Sequence, residues 1–173
     1  MAKAKITPFL WFDDQAEQAM RFYVSIFPNS KIHTVNRYGD AGPGKKGSVM
    51  TVAARVAGQE LVALNGGPHY ELSPAFSLFV SCKNQREVDT LWRKLLSGGG
   101  RESMCGWLTD RFGLSWQIVP DVLMELLGDN DRARANRAMQ AMLGMRKLDI
   151  QALRDAADGK IAAKKPRARS RRN

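Results

Sequence analysis

Apolar side chains in this chain switch between two spacings, and the switch happens twice. Ile6 to Phe12, ITPFLWF, is rich in β-branched and aromatic residues and reads as a strand. Asp14, with Glu17 three residues on, offers a capping pair ahead of Ala16, Ala19, Met20, Tyr23 and Phe27 at helical spacing, and Pro28-Asn29 stops that helix. Strand-like runs follow at 31–38, 48–56 and 59–65. The first connection between them, GDAGPGKKG, is long and glycine-rich, whereas Ala57-Gly58 suits a tight hairpin.

The order then begins again. AFSLFVSC (75–82) is a strand, and Asn84 with Glu87 repeats the capping pattern before Val88, Leu91, Trp92 and Leu95. Gly98-Gly99-Gly100 ends the helix, and short strands fit around 102–105, 107–109 and 115–119. The two capping Asx residues, Asp14 and Asn84, stand 70 positions apart. The pattern predicts an α+β domain over 6–120, made of paired βαβββ modules. Each module carries its helix on the outer face and leaves the inner face able to enclose a ligand. A C-terminal helical extension is expected over 121–159, with helices at 121–128, 131–145 and 148–159. In the middle helix Ala135, Met139 and Met142 are placed on one face, for packing on the body or on a second subunit rather than on a flexible ligand.

Composition narrows the class. A length of 173 residues with 44% hydrophobic content accommodates one compact domain plus appendages. No apolar run approaches the roughly 20 residues of a membrane helix, and MAKAKITPF has no secretory core, so a soluble cytoplasmic protein is expected. Cys82 and Cys105 lie in apolar runs and read as reduced thiols. Of the net charge of +10, seven positive charges sit in residues 160–173, which leaves +3 for the first 159 residues. That tail is expected to be disordered and could contact nucleic acid in a salt-dependent way. With no aromatic interleaved to stack on bases, a solubilising extension is the preferred reading.

Strand alternation assigns Asn65, Ser77, Phe79, Trp107, Thr109 and Gln117 to the inner face, a mixed apolar and hydrogen-bonding lining for a small molecule. Gln117 either bonds neighbouring groups or waits for ligand. Trp107 and Trp116 should face opposite sides, and Trp107 is the one expected to stack on ligand. Asp110, in D-R-F-G, either caps its turn while Gly113 takes positive φ or carries a proton. His69, in the loop after Gly66-Gly67-Pro68, is the other candidate proton carrier; His33, between Ile32 and Thr34, reads as structural.

The duplicated plan, the FY pair at 22–23 and the D-x-x-G turn before the last strand resemble the vicinal-oxygen-chelate superfamily of glyoxalase I, extradiol dioxygenases and bleomycin-resistance proteins. More narrowly, ALNGGP (63–68), AFSLFVSC, EVDTLW (87–92), CGWLTDRFGLSWQIVP (105–120) and MLGMRKLDIQAL (142–153) are similar to its PhnB-like branch, which bears the name 3-demethylubiquinone 3-methyltransferase. The resemblance implies a glyoxalase-like fold. It also implies that metal-dependent members hold a divalent ion through His, Glu or Gln from four strands. The matching positions here are Pro8, Ala63 (or Asn65 if the register slips), Ala75 and Gln117. Two neutral amides at best suit a divalent cation poorly, so neither a catalytic metal nor another cofactor is expected.

A cofactor with an activated methyl group is usually cradled by a glycine-rich turn between a parallel strand and a helix, and the glycine-rich stretches here lie in hairpins or after a helix. The preferred function is therefore metal-independent small-molecule binding, as in bleomycin-resistance proteins. The alternative is a metal-independent glyoxalase-like lyase, isomerase or transferase using Asp110 or His69. A nucleic-acid accessory role through the tail is the weaker third. A homodimer is the expected assembly.

Overall fold

The computed structural model describes residues 5–160, so the tail expectation falls, from residue 161 onward, outside the described residues. The chain divides into two compact units, with the boundary between Pro74 and Ala75. The first holds β1 (Phe9–Phe12), α1 (Ala16–Ile26), β2 (Lys31–Arg37), β3 (Val49–Val56) and β4 (Gln59–Asn65). The second holds β5 (Ser77–Cys82), α2 (Gln85–Leu96), β6 (Arg101–Glu102), β7 (Trp107–Thr109) and β8 (Ser115–Pro120), followed by α3 (Asp121–Leu127), α4 (Arg132–Leu143) and α5 (Ile150–Ala157). Both units realise the βαβββ order read from the sequence. The helical extension belongs to the second compact unit.

In the first unit the sheet order is β1-β4-β3-β2, with β1 parallel to β4 and the other pairs antiparallel. Ala57 (φ 49°) and Gly58 (φ 87°) both take positive φ, the twist a two-residue hairpin needs. Alternation buries Leu10, Phe12, Val52, Ala54, Leu61 and Ala63, together with Ala16, Ala19, Met20 and Tyr23 of α1. One sheet face is thus closed by one helix.

The start of α1 departs from expectation. Asp14 does not cap it: the residue before the helix is Gln15, at φ −106° and ψ 11°, and it makes no side-chain cap bond. That extra residue carries Asp14 too far from the first turn. The Ala16 N–H is instead accepted at 2.7 Å by Oδ1 of Asn65, at the end of β4. The other end of the same amide donates to the Val49 carbonyl at 3.1 Å. Asn65 lies in register with Phe12, so its side chain projects to the α1 side of the sheet rather than to the inner face.

In the second unit the sheet order is β5-β8-β7-β6, again with a parallel first pair. Here the local cap forms as expected. Asn84 accepts the Glu87 N–H at 3.0 Å, and the Glu87 carboxylate accepts the Lys83 N–H at 2.8 Å. Val88, Leu91, Trp92 and Leu95 are buried.

Helices α3 to α5 share a core of Leu123, Leu126, Ala138, Leu148, Leu153 and Ala157 with Val119 of β8. The segment between α4 and α5 is tied to the sheet by backbone. Cys105 N–H donates to Met145 O and Gly106 N–H to Arg146 O, both at 2.7 Å. Gln85 holds the same segment twice, donating to Leu148 O at 3.1 Å and accepting the Ile150 N–H at 2.9 Å. Gly106 has φ 82°, and a Cβ there would sit 2.9 Å from both Ile118 O and Leu148 Cδ1, so only glycine fits. On α4 the packed stripe is Ala135, Ala138 and Met142, not the expected Ala135, Met139 and Met142; Met139 is exposed. Among the described residues no helix is long and apolar enough to cross a membrane.

If Asn65 is the cap of α1, Asn65→Ala should destabilise the protein by about 1 kcal/mol, whereas Asp14→Ala should leave it nearly unchanged. Urea titration of the two variants checks this, and equal effects would return the cap to Asp14.

Candidate functional site

Strand register decides which predicted residues meet. On the sheet of the second unit, Phe79, Gln117 and Trp107 form one cross-strand row, and Ser77, Ser115 and Thr109 form the next. All of these side chains project to the face away from α2, while Cys82, Leu108, Trp116 and Ile118 are buried on the other. Ser77, Phe79, Trp107, Thr109 and Gln117 are thereby brought together, as the sequence anticipated. Gln117 donates from Nε2 to the Ser77 hydroxyl at 2.9 Å, and no described residue donates to its amide oxygen. Thr109 and Ser115 hydroxyls lie 3.5 Å apart. Phe79 is 51% exposed and Trp107 half-buried, whereas Trp116 is buried on the far side. The row offers two aromatic surfaces with an oriented amide between them.

Asp110 is not part of that face. It is buried, and each carboxylate oxygen is engaged: Oδ1 accepts Phe112 N–H at 2.8 Å and Leu114 N–H at 3.2 Å, and Oδ2 accepts the Trp116 indole N–H at 2.8 Å. Gly113, at φ 89°, closes the turn. The carboxylate ties the D-R-F-G turn to a core indole, the turn-capping alternative of the two drawn from the sequence.

In the first unit the loop after β4 is set by its glycines. Gly66 N–H donates to Phe12 O at 2.9 Å, Gly67 N–H to Asp13 O at 3.1 Å, and the Trp11 indole to Gly67 O at 2.8 Å. The Trp11 ring lies so close that a Cβ on Gly66 would be 2.2 Å from Cζ2. The N-G-G run of the ALNGGP motif therefore caps a helix, admits an indole and turns at Gly67 (φ 81°). Beside this loop is a cleft of about 600 Å³, bordered by Asp13, Asp14, Glu17, Tyr38, Asn65 and His69 among others. Tyr38 donates its hydroxyl proton to Asn65 O at 2.8 Å. Glu17 is paired with Arg21 at 2.6 Å and approached by Arg37 at 4.0 Å. His69 is exposed at the rim. The two candidate proton carriers, His69 and Asp110, thus belong to different units. Sequence reasoning missed the acidic wall of the cleft, because Asp13 and Asp14 lie in a connection that carries no periodic signal.

The positions matched to metal ligands do not fit a divalent ion. Pro8 precedes β1 and uses its carbonyl to accept the Val62 N–H. Ala63 is buried on the α1 side, and the β4 residues of the opposite face are Glu60, Val62 and Leu64, of which Glu60, the one with a donor, is paired with Arg55 and His33. Ala75 precedes β5. Asn65 has both ends of its amide engaged by backbone, and Gln117 alone remains. One neutral amide lacks the charge or imidazole such ions need. Among the described residues no three His, Cys, Asp or Glu side chains group as a metal site elsewhere.

Other candidate groups are structural. His33 Nε2 lies 3.0 Å from Glu60, which also receives Arg55 at 2.7 Å, and the guanidinium hydrogen bond lowers the Glu60 pKa. Burial first, and then the Glu87 and Asp121 carboxylates, push the Cys82 thiol up to about 12; burial also raises Cys105. Neither thiol is activated as a nucleophile.

Comparison with known proteins follows the same lines. The profile of the 3-demethylubiquinone-9 3-methyltransferase family matches residues 4–119. Among solved structures, a Bacillus cereus PhnB protein bearing that family name is 37% identical, over 68% of this chain and 99% of its own, with a TM-score of 0.62. A Pseudomonas aeruginosa protein is 22% identical over 68% of this chain and 98% of its own, with a TM-score of 0.57. The genomically encoded fosfomycin resistance protein FosX of Listeria monocytogenes is 15% identical over 75% and 100%, with a TM-score of 0.54. The last two are likenesses of fold. No curated protein matches the chain.

Two outcomes test these assignments. Asp110→Ala leaves three donors without their acceptor and should cost on the order of 3 kcal/mol or more, read as a fall in the denaturation midpoint. With a disulfide reagent at pH 8, Cys105 should react slowly and Cys82 only on unfolding; rapid labelling of Cys82 in the native protein would contradict its burial.

Proposed function

Because the chain belongs to the 3-demethylubiquinone-9 3-methyltransferase family, the PhnB-like branch of the vicinal-oxygen-chelate superfamily, we propose that it is a small-molecule-binding protein that works without a metal. Its ligand sits on the helix-free sheet face of the second module. The observation that carries this reading is the row Phe79–Gln117–Trp107, with the Gln117 amide oriented by Ser77. A hydroxyl oxygen holding the amide nitrogen leaves the amide oxygen as an acceptor between two aromatic surfaces. Such a surface suits a flat molecule that carries a hydrogen-bond donor.

Metal independence rests on the donor set, since Gln117 is neutral and the carboxylate that β4 carries on the helix-free face, Glu60, is already taken by Arg55 and His33. The family name does not supply a mechanism for this chain. The strand-to-helix connections, residues 13–15 and 83–84, contain no glycine, so neither forms the backbone cradle that a cofactor with an activated methyl group uses. The enzyme alternative would place its proton transfer on His69, since Asp110 is committed to Trp116 and its own turn. Binding to nucleic acid through the tail is a separate possibility, and unchanged retention on heparin after deletion of 160–173 would remove it. In solution we read the chain as a homodimer, supported by exposed Met124 and Met139 and Leu143 on α3 and α4, which a second copy would cover.

Native mass spectrometry after mild isolation should show a copurified small molecule in the wild-type protein that is absent from a Trp107→Ala/Gln117→Ala variant. A ligand retained equally by that variant, or a stoichiometric transition metal in the wild type, would overturn the proposal.

A further inference from the structure

We propose that the outward side of α2 docks on the phosphate backbone of duplex nucleic acid. Helix α2 closes one face of its sheet, and the row Phe79–Gln117–Trp107 lies on the other, so this surface is separate from the ligand face of the same unit. Val88, Leu91, Trp92 and Leu95 are buried, and at 3.6 residues per turn the positions pointing away from them are Arg86, Thr90 and Arg93, with Lys94 beside them. Arg86, Arg93 and Lys94 are exposed. Arg93 follows Arg86 by two turns, about 10 Å along the axis. The stripe continues past the end of the helix. Gly98 turns at φ 79°, and Arg111 lies so close against it that a Cβ on Gly98 would be 2.6 Å from Nη1. A row of four cations thus runs along one side of the unit, from Arg86 to Arg111.

The carboxylates nearest the row are turned to other partners. Glu87 accepts the Lys83 N–H, Glu102 accepts the Trp92 indole N–H and is approached by Arg146 at 3.5 Å, and Asp110 is buried in its turn. Asp89 is held by Lys147 and the Gln85 amide, and its pKa is lowered first by the Lys147 hydrogen bond and least by Arg93. Arg86, Arg93 and Lys94 form no salt bridge among the described residues. The corresponding helix of the first unit differs: on α1 the exposed positions are Gln18, Arg21 and Ser25, and Arg21 is taken by Glu17 at 2.6 Å. Residues 75–173 hold nineteen Lys or Arg against eleven Asp or Glu, which is +8 of the net +10, and over 161–173 the sequence adds six Lys or Arg and no acid. Positive charge of this kind draws a chain to a polyanion.

Side-chain chemistry selects the partner. Arginine, lysine and threonine contact phosphate and sugar without reading sequence. No apolar side chain stands among Arg86, Thr90, Arg93 and Lys94 to enter a bilayer. Nor does an aromatic stand there to stack on unpaired bases, which favours a duplex over a single strand. Phe112, at one end of the row, is half-buried and covered by the Arg111 guanidinium, 4.8 Å from the ring centroid.

The test uses the full chain and a fluorescein-labelled DNA duplex of about 20 base pairs and mixed sequence, followed by fluorescence anisotropy. Affinity should fall more than about tenfold between roughly 50 and 200 mM salt. The Arg86→Gln/Arg93→Gln/Lys94→Gln variant should bind about tenfold more weakly at low salt, and its slope of log affinity against log salt should be shallower by about 2.7, three phosphate contacts at roughly 0.9 each. A second variant, Lys5→Gln/Lys31→Gln/Lys45→Gln, removes the same charge from exposed positions of the first unit and should keep its affinity within about threefold of the wild type. Both should melt close to the wild-type temperature, because the replaced side chains are exposed. Trp107→Ala/Gln117→Ala should bind the duplex as the wild type does, which separates this surface from the sheet-face proposal. No binding of the duplex, equal losses in the two triple variants, or a single strand of the same length bound more tightly than the duplex would each overturn the inference. So would vesicles of phosphatidylglycerol that displace the labelled duplex at a lower phosphate concentration than unlabelled duplex does.

Discussion

One helix can bury only one face of a four-stranded sheet, and in both units that geometric limit decides what each polar residue does. Side chains of a strand alternate, so a residue's parity places it either under the helix or on the uncovered face. Asn65 and Asp110 have the covered parity. Both are fully engaged, the half-buried Asn65 by the Ala16 N–H and the Val49 carbonyl, and the buried Asp110 by its own turn and the Trp116 indole. Gln117, Ser77 and Thr109 have the other parity. Gln117 donates to Ser77, Thr109 lies against Ser115, and the Gln117 amide oxygen keeps its accepting capacity in reserve.

Two modules of one plan have diverged through small differences at the same joint. Between β5 and α2 the connection is two residues, and Asn84 reaches the helix N-terminus directly in an extended conformation. Between β1 and α1 it is three, and the cap is delivered across 49 residues of sequence from the end of β4. The longer connection leaves Asp13 and Asp14 exposed at a rim, and the distant cap draws the N-G-G loop down beside them. A cleft results in the first module. The second module spends its extra chain differently, on α3 to α5, whose link is stitched to Cys105, Gly106 and Gln85.

Periodicity, caps and turn residues were sufficient to read the duplicated βαβββ order, the buried helical faces, the Ala57-Gly58 hairpin and the grouping of Ser77, Phe79, Trp107, Thr109 and Gln117. All are local properties: they depend on φ preferences and on whether side chains repeat every two or every 3.6 residues. Residue identity, which does not change on folding, also puts Pro8, Ala63 and Ala75, none with a ligating side chain, at positions that the resemblance matches to metal ligands. What tertiary structure alone decided was partnership. A capping residue is sought next to its helix, yet α1 takes its cap from Asn65, because the strand parallel to β1 ends where the helix begins. Asp110, a candidate acid by residue type, is held by the indole six residues on. The cleft could not be read at all, since Asp13, Tyr38 and His69 are far apart along the chain and share no period; only the closing of the loops onto α1 makes them neighbours.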